Sequence, residues 1–517
     1  MPNVPKRSTF SPKNSWVGRH QTFEQKIEGL YSFNVFRPAS TADARLQTYN
    51  AATKELQATI AQAVKKKKEL RAFGSSWSLS KVAVSKHWLL GNKALRVGFT
   101  LPASQVSANY AGERDRLRFL ECGYSISEIN RVLFRDGLSL KASGSNNGQT
   151  LPGVISTGTH GSAFKFGATQ DFVVGLHLVT GPNKHVFLER ASYPVVRPSF
   201  AATLGAELIR DDTLFDAALV SFGSFGIIHG VMIEARELFL LDAHRSFRNF
   251  GAGLKKAITS LDFSGLNLPG PVSKLYHFQL EVNPNDKIPA EKASVLFMFE
   301  RPFTPNYQPP DWDDGAPGPG ASGLELMANV VELLPTVAAD LVKPLINAQL
   351  DNELAPYQVT GAFKDLFRGE KVVGKVFASG VGLPLDRSLD ALNIALDTYK
   401  NFGTLLPMLI ALRFVKGTKA LLGFTKFEPT CVMEIDGLFT AKSQQYVNKV
   451  WANIEKAGIP LTMHWGKIND FLTPARVEAA YGDNVQKWKD SRAALLESPA
   501  VGKVFANDFT RRVGLTG

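Results

Sequence analysis

The chain has 517 residues, 44% apolar and 21% charged, which is the balance of a globular protein with room for two or more domains and not of a disordered or fibrous one. Its opening stretch, MPNVPKRSTFSPKNSW, has no apolar run of signal-peptide length, and the longest uncharged apolar run near the C-terminal half, Asn401 to Leu412, is too short to span a bilayer and contains Pro407. Two cysteines, Cys122 and Cys431, exclude a thiol metal cluster and fit a reducing, cytoplasmic setting, while the net charge of +12 suits an anionic cofactor, an anionic lipid surface or nucleic acid.

Apolar residues recur at helical spacing from Ala42 to Leu70 and predict a helix; Lys65 to Lys68 fall at its end, where cations complement the helix dipole and face solvent. ELRAFGSSWS then switches to a strand and a turn of small residues. LRFLECGYSISEINRVLFRDGLSL reads as a strand, a glycine turn and a helix capped by Ser125 or Ser127. DFVVGLHLVTGPNKHVFLE predicts a hairpin about Gly181-Pro182-Asn183, and LFDAALVSFGSFGIIHGVMIEARELFLL a helix, a glycine-rich turn and a strand, in which His229 is expected to be satisfied by backbone. From Leu238 onward, strand-like KLYHFQLEVNP, KASVLFMFERPF and PTCVMEIDGLF alternate with helices such as KSQQYVNKVWANIEKAG, so the whole chain is α+β. Residues 301–323 form a Pro/Gly-rich loop, and the apolar segments 324–350 and 401–414 read as core elements or as the lining of a substrate cavity or membrane-docking face.

One stretch stands apart. GSNNGQTLPGVISTGTHGS, residues 144–162, puts five glycines and six hydroxyl side chains into nineteen positions. Glycine is costly in chain entropy, so this density means unusual dihedrals or a backbone pressed against a neighbour. Bare amides of such a loop can line a nest for an anion or a polar ring edge. No GxxxxGK[ST] lies near it and no GxGxxG follows a strand at dinucleotide spacing, which argues against triphosphate hydrolysis and a Rossmann site.

RAFGSSWS (71–78), ASGSNNGQTLPGVISTGTHGS (142–162) and LVSFGSFGIIHGV (219–231), in this order, resemble the three flavin-contacting stretches of the vanillyl-alcohol oxidase family of FAD enzymes. LIALRFVKGTKALLGFTKFEPTCVMEI (409–435), HWGK (464–467) and YGDNVQKWKDSRAALLESPAVGKVFANDFTRRVGL (481–515) resemble the C-terminal half of its aldonolactone and alditol oxidase branch. The resemblance implies a PCMH-type FAD-binding domain of two subdomains over residues 1–237, with its core from about 35, an α+β cap with a central antiparallel sheet over 238–470, and a segment 471–517 returning to the FAD domain. It carries cofactor contacts onto Phe73, Gly74, Ser75, Ser76, Trp77 and Ser78, then onto Gly144, Pro152, Gly153, Ser156, Thr157, Gly158, Thr159, His160, Gly161 and Ser162, and finally onto Gly223, Gly226, Ile227 and Ile228. The glycines among them are expected where a β-carbon would collide with FAD.

Two departures matter. Many relatives bond a histidine covalently to the flavin at the place of Ser75; serine cannot make that bond, so FAD is expected to be held without a link. The branch also carries glutamate two residues before its active-site arginine, where this chain has Ala411. Arg413 aligns with that arginine and Lys467 with the branch's lysine; both are candidates to stabilise negative charge developing on a reduced flavin or to hold the substrate oxygen. Strand alternation puts Thr430, Val432, Glu434 and Asp436 on one face, so Glu434 is a candidate general base or carboxylate partner of Arg413, and His464 a candidate flavin neighbour. The resulting expectation is an FAD-dependent oxidoreductase that removes hydride from a CH–OH group of a sugar, aldonolactone, polyol or related small alcohol, with oxygen or another electron acceptor. Alternatives are oxidation of a bulkier lipophilic alcohol such as a sterol, and a flavin-binding protein without turnover. No basic-aromatic module for nucleic acid is visible, and peripheral membrane contact through the cap surface stays open.

Overall fold

The computed structural model describes residues 6–38, 40–286, 292–311, 354–369 and 374–517, together with single positions at 344, 347 and 348. The apolar segment 324–350 and most of the loop 301–323 lie outside the described residues.

Helix Ala42–Lys65 opens on a Thr41 cap whose side chain accepts from the Ala44 amide, and it buries Tyr49, Ala52, Leu56, Ile60 and Ala63 along one stripe. Beside it a four-stranded sheet runs in the order Ser8–Pro12, Gly29–Phe33, Trp88–Gly91, Leu70–Phe73, its first pair antiparallel and the other two parallel. A second, six-stranded sheet runs Glu207–Arg210, His185–Glu189, Val173–Val179, Ile227–Glu234, Leu117–Glu121, Gly98–Phe99. The hairpin about Gly181 is its antiparallel pair Val173–Val179 with His185–Glu189. Helix Ile126–Arg135 starts at Ser125, where a capping box with Glu128 satisfies both exposed amides.

His229 on strand Ile227–Glu234 corrects the expectation of backbone partners. Its Nδ1 lies 3.0 Å from Thr53 Oγ1, its Nε2 lies 3.1 Å from Glu121 Oε1, and Tyr49 stacks on it at 4.0 Å. Its neighbours on the sheet come from a helix and two strands distant in sequence, which local pattern cannot reveal.

The third sheet is antiparallel throughout and has eight strands, in the order Tyr357–Ala362, Phe239–Asn249, Lys292–Pro302, Leu275–Val282, Met408–Val415, Thr430–Leu438, Val376–Pro384, Thr462–Met463. Segment 401–414 thus ends in a central, buried strand, the core reading of that segment, and its Arg413 reaches the cleft described below. Helices Ala252–Ser260, Ser388–Lys400 and Ala441–Lys456 pack together on the sheet, the last two against Thr430–Leu438. The C-terminal residues return to the first two sheets. Helix Asp483–Leu495 packs on Asp212–Leu219, Trp488 Nε1 donates to the Val220 carbonyl at 3.1 Å, and Arg492 Nε donates to Ser224 Oγ at 2.7 Å. Asn507 accepts from Arg71 Nη2 at 2.8 Å and donates to the carbonyls of Val82 and Val84, tying the chain end to the strand that precedes Gly74.

Candidate active site

These elements enclose one cleft of about 1470 Å³, its open mouth included. Its walls are the turn after Leu70–Phe73, the loop and short helix of residues 144–160, the turn about Phe222 and Gly226, and the cleft-facing side of the eight-stranded sheet. Phe73, Gly74, Ser75, Ser76, Trp77, Ser78, Gly144, Pro152, Gly153, Ser156, Thr157, Thr159, His160, Gly223, Gly226, Ile228, Arg413, Glu434, His464 and Lys467 all line it.

Four expected cofactor residues do not. Gly158 ends helix Leu151–Thr157 in the left-handed region, at φ 75°, with Phe424 beside it. Gly161 packs against the Ser143 carbonyl, and Ile227 is buried in the core around helix Ala42–Lys65. Ser162 joins the loop to the large sheet: its Oγ donates to the Phe278 carbonyl and accepts from the Phe414 amide at 2.9 Å. The glycines also have a different immediate cause from the one expected. A β-carbon on Gly74 would stand 1.9 Å from Thr150 Oγ1, and one on Gly161 2.2 Å from the Ser143 carbonyl oxygen, so the loops are bare because they press on each other.

On the sheet side, register does what the sequence could not display. Ala411 pairs directly with Glu434 across strands Met408–Val415 and Thr430–Leu438, so a carboxylate stands next to the position where the branch carries one. Gly380 pairs with Glu434 on its other side and leaves room for two long side chains: a β-carbon there would meet Glu434 Cγ at 3.4 Å and Lys467 Cδ at 3.7 Å. Glu434 is 2% exposed and is met by three basic groups: Lys467 Nζ donates to Oε1 at 2.6 Å, Arg413 Nε lies 3.5 Å from Oε2, and His160 Nε2 lies 3.3 Å from Oε1. Burial alone would raise its pKa, but Lys467 and then Arg413 outweigh it and hold the carboxyl well below the usual range. Asp436, fully buried on the same face, is 3.5 Å from Lys467 Nζ; burial pushes it up to about 6 against the pull of that lysine.

The loop carrying His464 and Lys467 is fixed from both sides. The His464 amide donates to the Gly380 carbonyl at 2.9 Å, the Leu79 amide donates to the Gly466 carbonyl at 2.8 Å, and Ser80 Oγ donates to the Trp465 carbonyl at 2.8 Å. His464 Nδ1 accepts from the Gly466 amide at 3.0 Å, which leaves the proton on Nε2, and burial followed by Lys467 holds the ring well below the ordinary histidine range and so neutral. Among the described residues, Arg413 Nε and Nη2, Glu434 Oε2 and both Asp436 oxygens are buried without hydrogen-bond partners. Each such group costs about 1–3 kcal/mol unless something fills the gap, and a ligand with hydroxyl groups in the cleft would meet those of Arg413 and Glu434, which line it.

Other parts of the cleft lining have the same character. Ser75 Oγ, Trp77 Nε1, Asn92 Oδ1 and Gln149 Oε1 belong to it, buried and without partners among the described residues. With Phe73, Val84 and Ile228 also in the lining, they suit a ligand with both polar and flat apolar parts, as FAD is. The sequence reading missed Trp16, His20 and Phe23, which also line the cleft, because the short hairpin bearing them belongs to none of the motifs.

Comparison with known proteins agrees with this geometry. Residues 49–187 match the family model described as an FAD binding domain. The chain is 25% identical over 464 residues to L-gulono-1,4-lactone dehydrogenase of Mycobacterium tuberculosis, a match covering 89% of this chain and 93% of that one. D-arabinono-1,4-lactone oxidase of Yarrowia lipolytica is 29% identical over 180 residues, 34% of this chain and 29% of that one. Among solved structures, cholesterol oxidase from Brevibacterium sterolicum shares the fold with a TM-score of 0.67 at 11% identity, covering 99% of this chain and 98% of that one. A VAO-type flavoprotein from Myceliophthora thermophila does so with a TM-score of 0.57 at 13% identity, covering 92% and 78%. The chain thus carries an FAD binding domain and the fold of vanillyl-alcohol-oxidase-type flavoproteins, and is an FAD-dependent oxidoreductase.

Proposed function

We propose that this protein oxidises a CH–OH carbon of a sugar-derived lactone or a related small polyol to a carbonyl. FAD, when bound, supplies the two-electron acceptor for the hydride. The observation that carries the reading is the buried Arg413–Glu434–Lys467 cluster in the cleft wall, with unpartnered atoms on Arg413 and Glu434, which matches a substrate with several hydroxyls better than an apolar one. The lactone-acting relatives of M. tuberculosis and Y. lipolytica point the same way.

In this reading Arg413 holds the reacting oxygen and, with Lys467, offsets negative charge as the C–H bond breaks. Glu434 is the carboxylate partner of the two cations and not the base, because a carboxyl held well below its usual range is a weak proton acceptor, so the hydroxyl proton passes to water through the open mouth of the cleft as the hydride leaves. His464, neutral with its proton on Nε2, donates a hydrogen bond toward the bound molecules. The division at residues 237 and 470, the cytoplasmic setting suggested by two buried free cysteines, and peripheral membrane contact belong with this proposal. No helix among the described residues is long and apolar enough to cross a membrane. The sterol alternative rests on a likeness of fold at 11% identity.

The test is anaerobic mixing of the yellow holoprotein with L-gulono-1,4-lactone, D-arabinono-1,4-lactone, alditols and a solubilised sterol, followed by admission of air. Bleaching by a lactone or alditol is expected; bleaching by the sterol alone, or by nothing in the series, would overturn the proposal. The rate of colour return in air then separates an oxidase from a dehydrogenase.

A further inference from the structure

The N-terminal hairpin, strands Ser15–Val17 and Glu24–Lys26 in the register Trp16 opposite Gln25, lies against the turn at residues 76–79. The Arg19 amide donates to the Ser76 carbonyl at 3.1 Å and Thr22 Oγ1 donates to the Leu79 carbonyl at 3.0 Å. Two non-glycine residues adopt left-handed backbone at this seam, Gln21 at φ 51° and Ser76 at φ 60°, a conformation that only surrounding structure can enforce. What the seam achieves is the placement of His20. The residue is 1% exposed, lines the cleft, and stands edge-on to Trp77 at 5.5 Å. Neither Nδ1 nor Nε2 has a hydrogen-bond partner among the described residues, and Ser75 Oγ and Trp77 Nε1 nearby are in the same condition. Burial, and then the charge of Arg19, push His20 down to about 4, so the ring is neutral and offers one N–H and one lone pair.

A side chain needed only for packing at this place would be apolar, as Trp16 and Phe23 on either side of it are. We propose that His20 is an FAD-binding residue delivered by the N-terminal hairpin, making a hydrogen bond to a polar group of the cofactor. It gives the cleft a histidine from a different segment, in a chain whose position 75 carries serine where linked relatives carry the flavin-bonded histidine. The inference rests on FAD binding and is independent of which alcohol is oxidised.

The test compares apoprotein of the wild type, His20→Phe and His20→Gln by FAD titration, read as quenching of FAD fluorescence, and by thermal unfolding without FAD. His20→Phe is expected to raise the FAD dissociation constant roughly tenfold, the loss of one well-placed hydrogen bond, while the apoprotein unfolds at the same or a higher temperature because an unpartnered imidazole has gone. His20→Gln, which can donate and accept, is expected to recover part of the affinity. An unchanged dissociation constant in His20→Phe would overturn the proposal. So would affinity and apoprotein stability falling together with no recovery in His20→Gln, which would make the residue structural. Failure of the wild-type apoprotein to take up FAD would instead count against the cofactor assignment.

Discussion

Glu434 receives Lys467 at 2.6 Å and Arg413 at 3.5 Å, so removing its charge leaves two buried cations facing each other. Glu434→Gln is therefore expected to destabilise the fold by about 3–5 kcal/mol, read by denaturant unfolding, and to slow anaerobic flavin reduction by substrate roughly a hundredfold. Unchanged values of both would remove the residue from the site. Asp436 carries the opposite sign. Its folded pKa of about 6 exceeds the ordinary 3.8, so the native chain binds more protons than the unfolded one between those values. The ionised carboxylate thus costs stability in full above about pH 6, and the cost is relieved as pH falls toward 4. Asp436→Asn should raise the apoprotein melting temperature at pH 8 and lose that advantage by pH 4; an equal gain at both would show that ionisation is not the cause. At this scale the sequence revealed much, because alternation alone put Glu434 and Asp436 on one face. It could not reveal that Ala411 sits opposite Glu434, or that His160 approaches the same carboxylate, since both depend on pairings between distant segments.

Among elements, the cleft depends on how closely two glycine-bearing turns approach. Gly74 follows strand Leu70–Phe73 and faces Thr150, the residue before helix Leu151–Thr157. Gly74→Ala is expected to destabilise the protein by about 1–3 kcal/mol and weaken FAD binding, since the new methyl would overlap Thr150 Oγ1 and Cγ2. Thr150→Ala in the same chain removes both of those atoms and should restore part of the loss in a double-mutant cycle; strictly additive effects would contradict the contact. The glycine density of residues 144–162 shows in the sequence that its backbone presses on something, but not that a neighbouring loop is part of it. A neighbouring loop that far away in sequence leaves no local trace. The hairpin at residues 15–26 is the counterpart case: three-residue strands with a long turn carry too little periodicity to be noticed, although they bring three side chains to the cleft.

For the whole molecule, the order of elements along the chain matters less than its return. The last forty or so residues reach the N-terminal sheets, and Asn507 accepts from the fully buried Arg71, whose other terminal nitrogen donates to the Phe222 and Gly223 carbonyls, while its own amide donates to the carbonyls of Val82 and Val84. Asn507→Ala should therefore lower stability by about 2 kcal/mol or more and loosen FAD, measured by thermal unfolding with and without cofactor. A change confined to the surface helix, with FAD affinity intact, would contradict this coupling. The α+β class and the alternation of strands and helices were legible from periodicity, whereas strand order in the large sheet was not, because every neighbouring pair there except the local ones joins segments many residues apart.

The central claim is that Arg413 and Lys467, held by Glu434, face a hydroxyl-bearing substrate beside FAD. Its most direct test is the anaerobic single-turnover rate of flavin bleaching by the best substrate in wild type and in Arg413→Ala, with FAD occupancy verified by absorbance. The account predicts full occupancy in both and a rate lowered by roughly two to three orders of magnitude in the variant; equal rates at equal occupancy would contradict it.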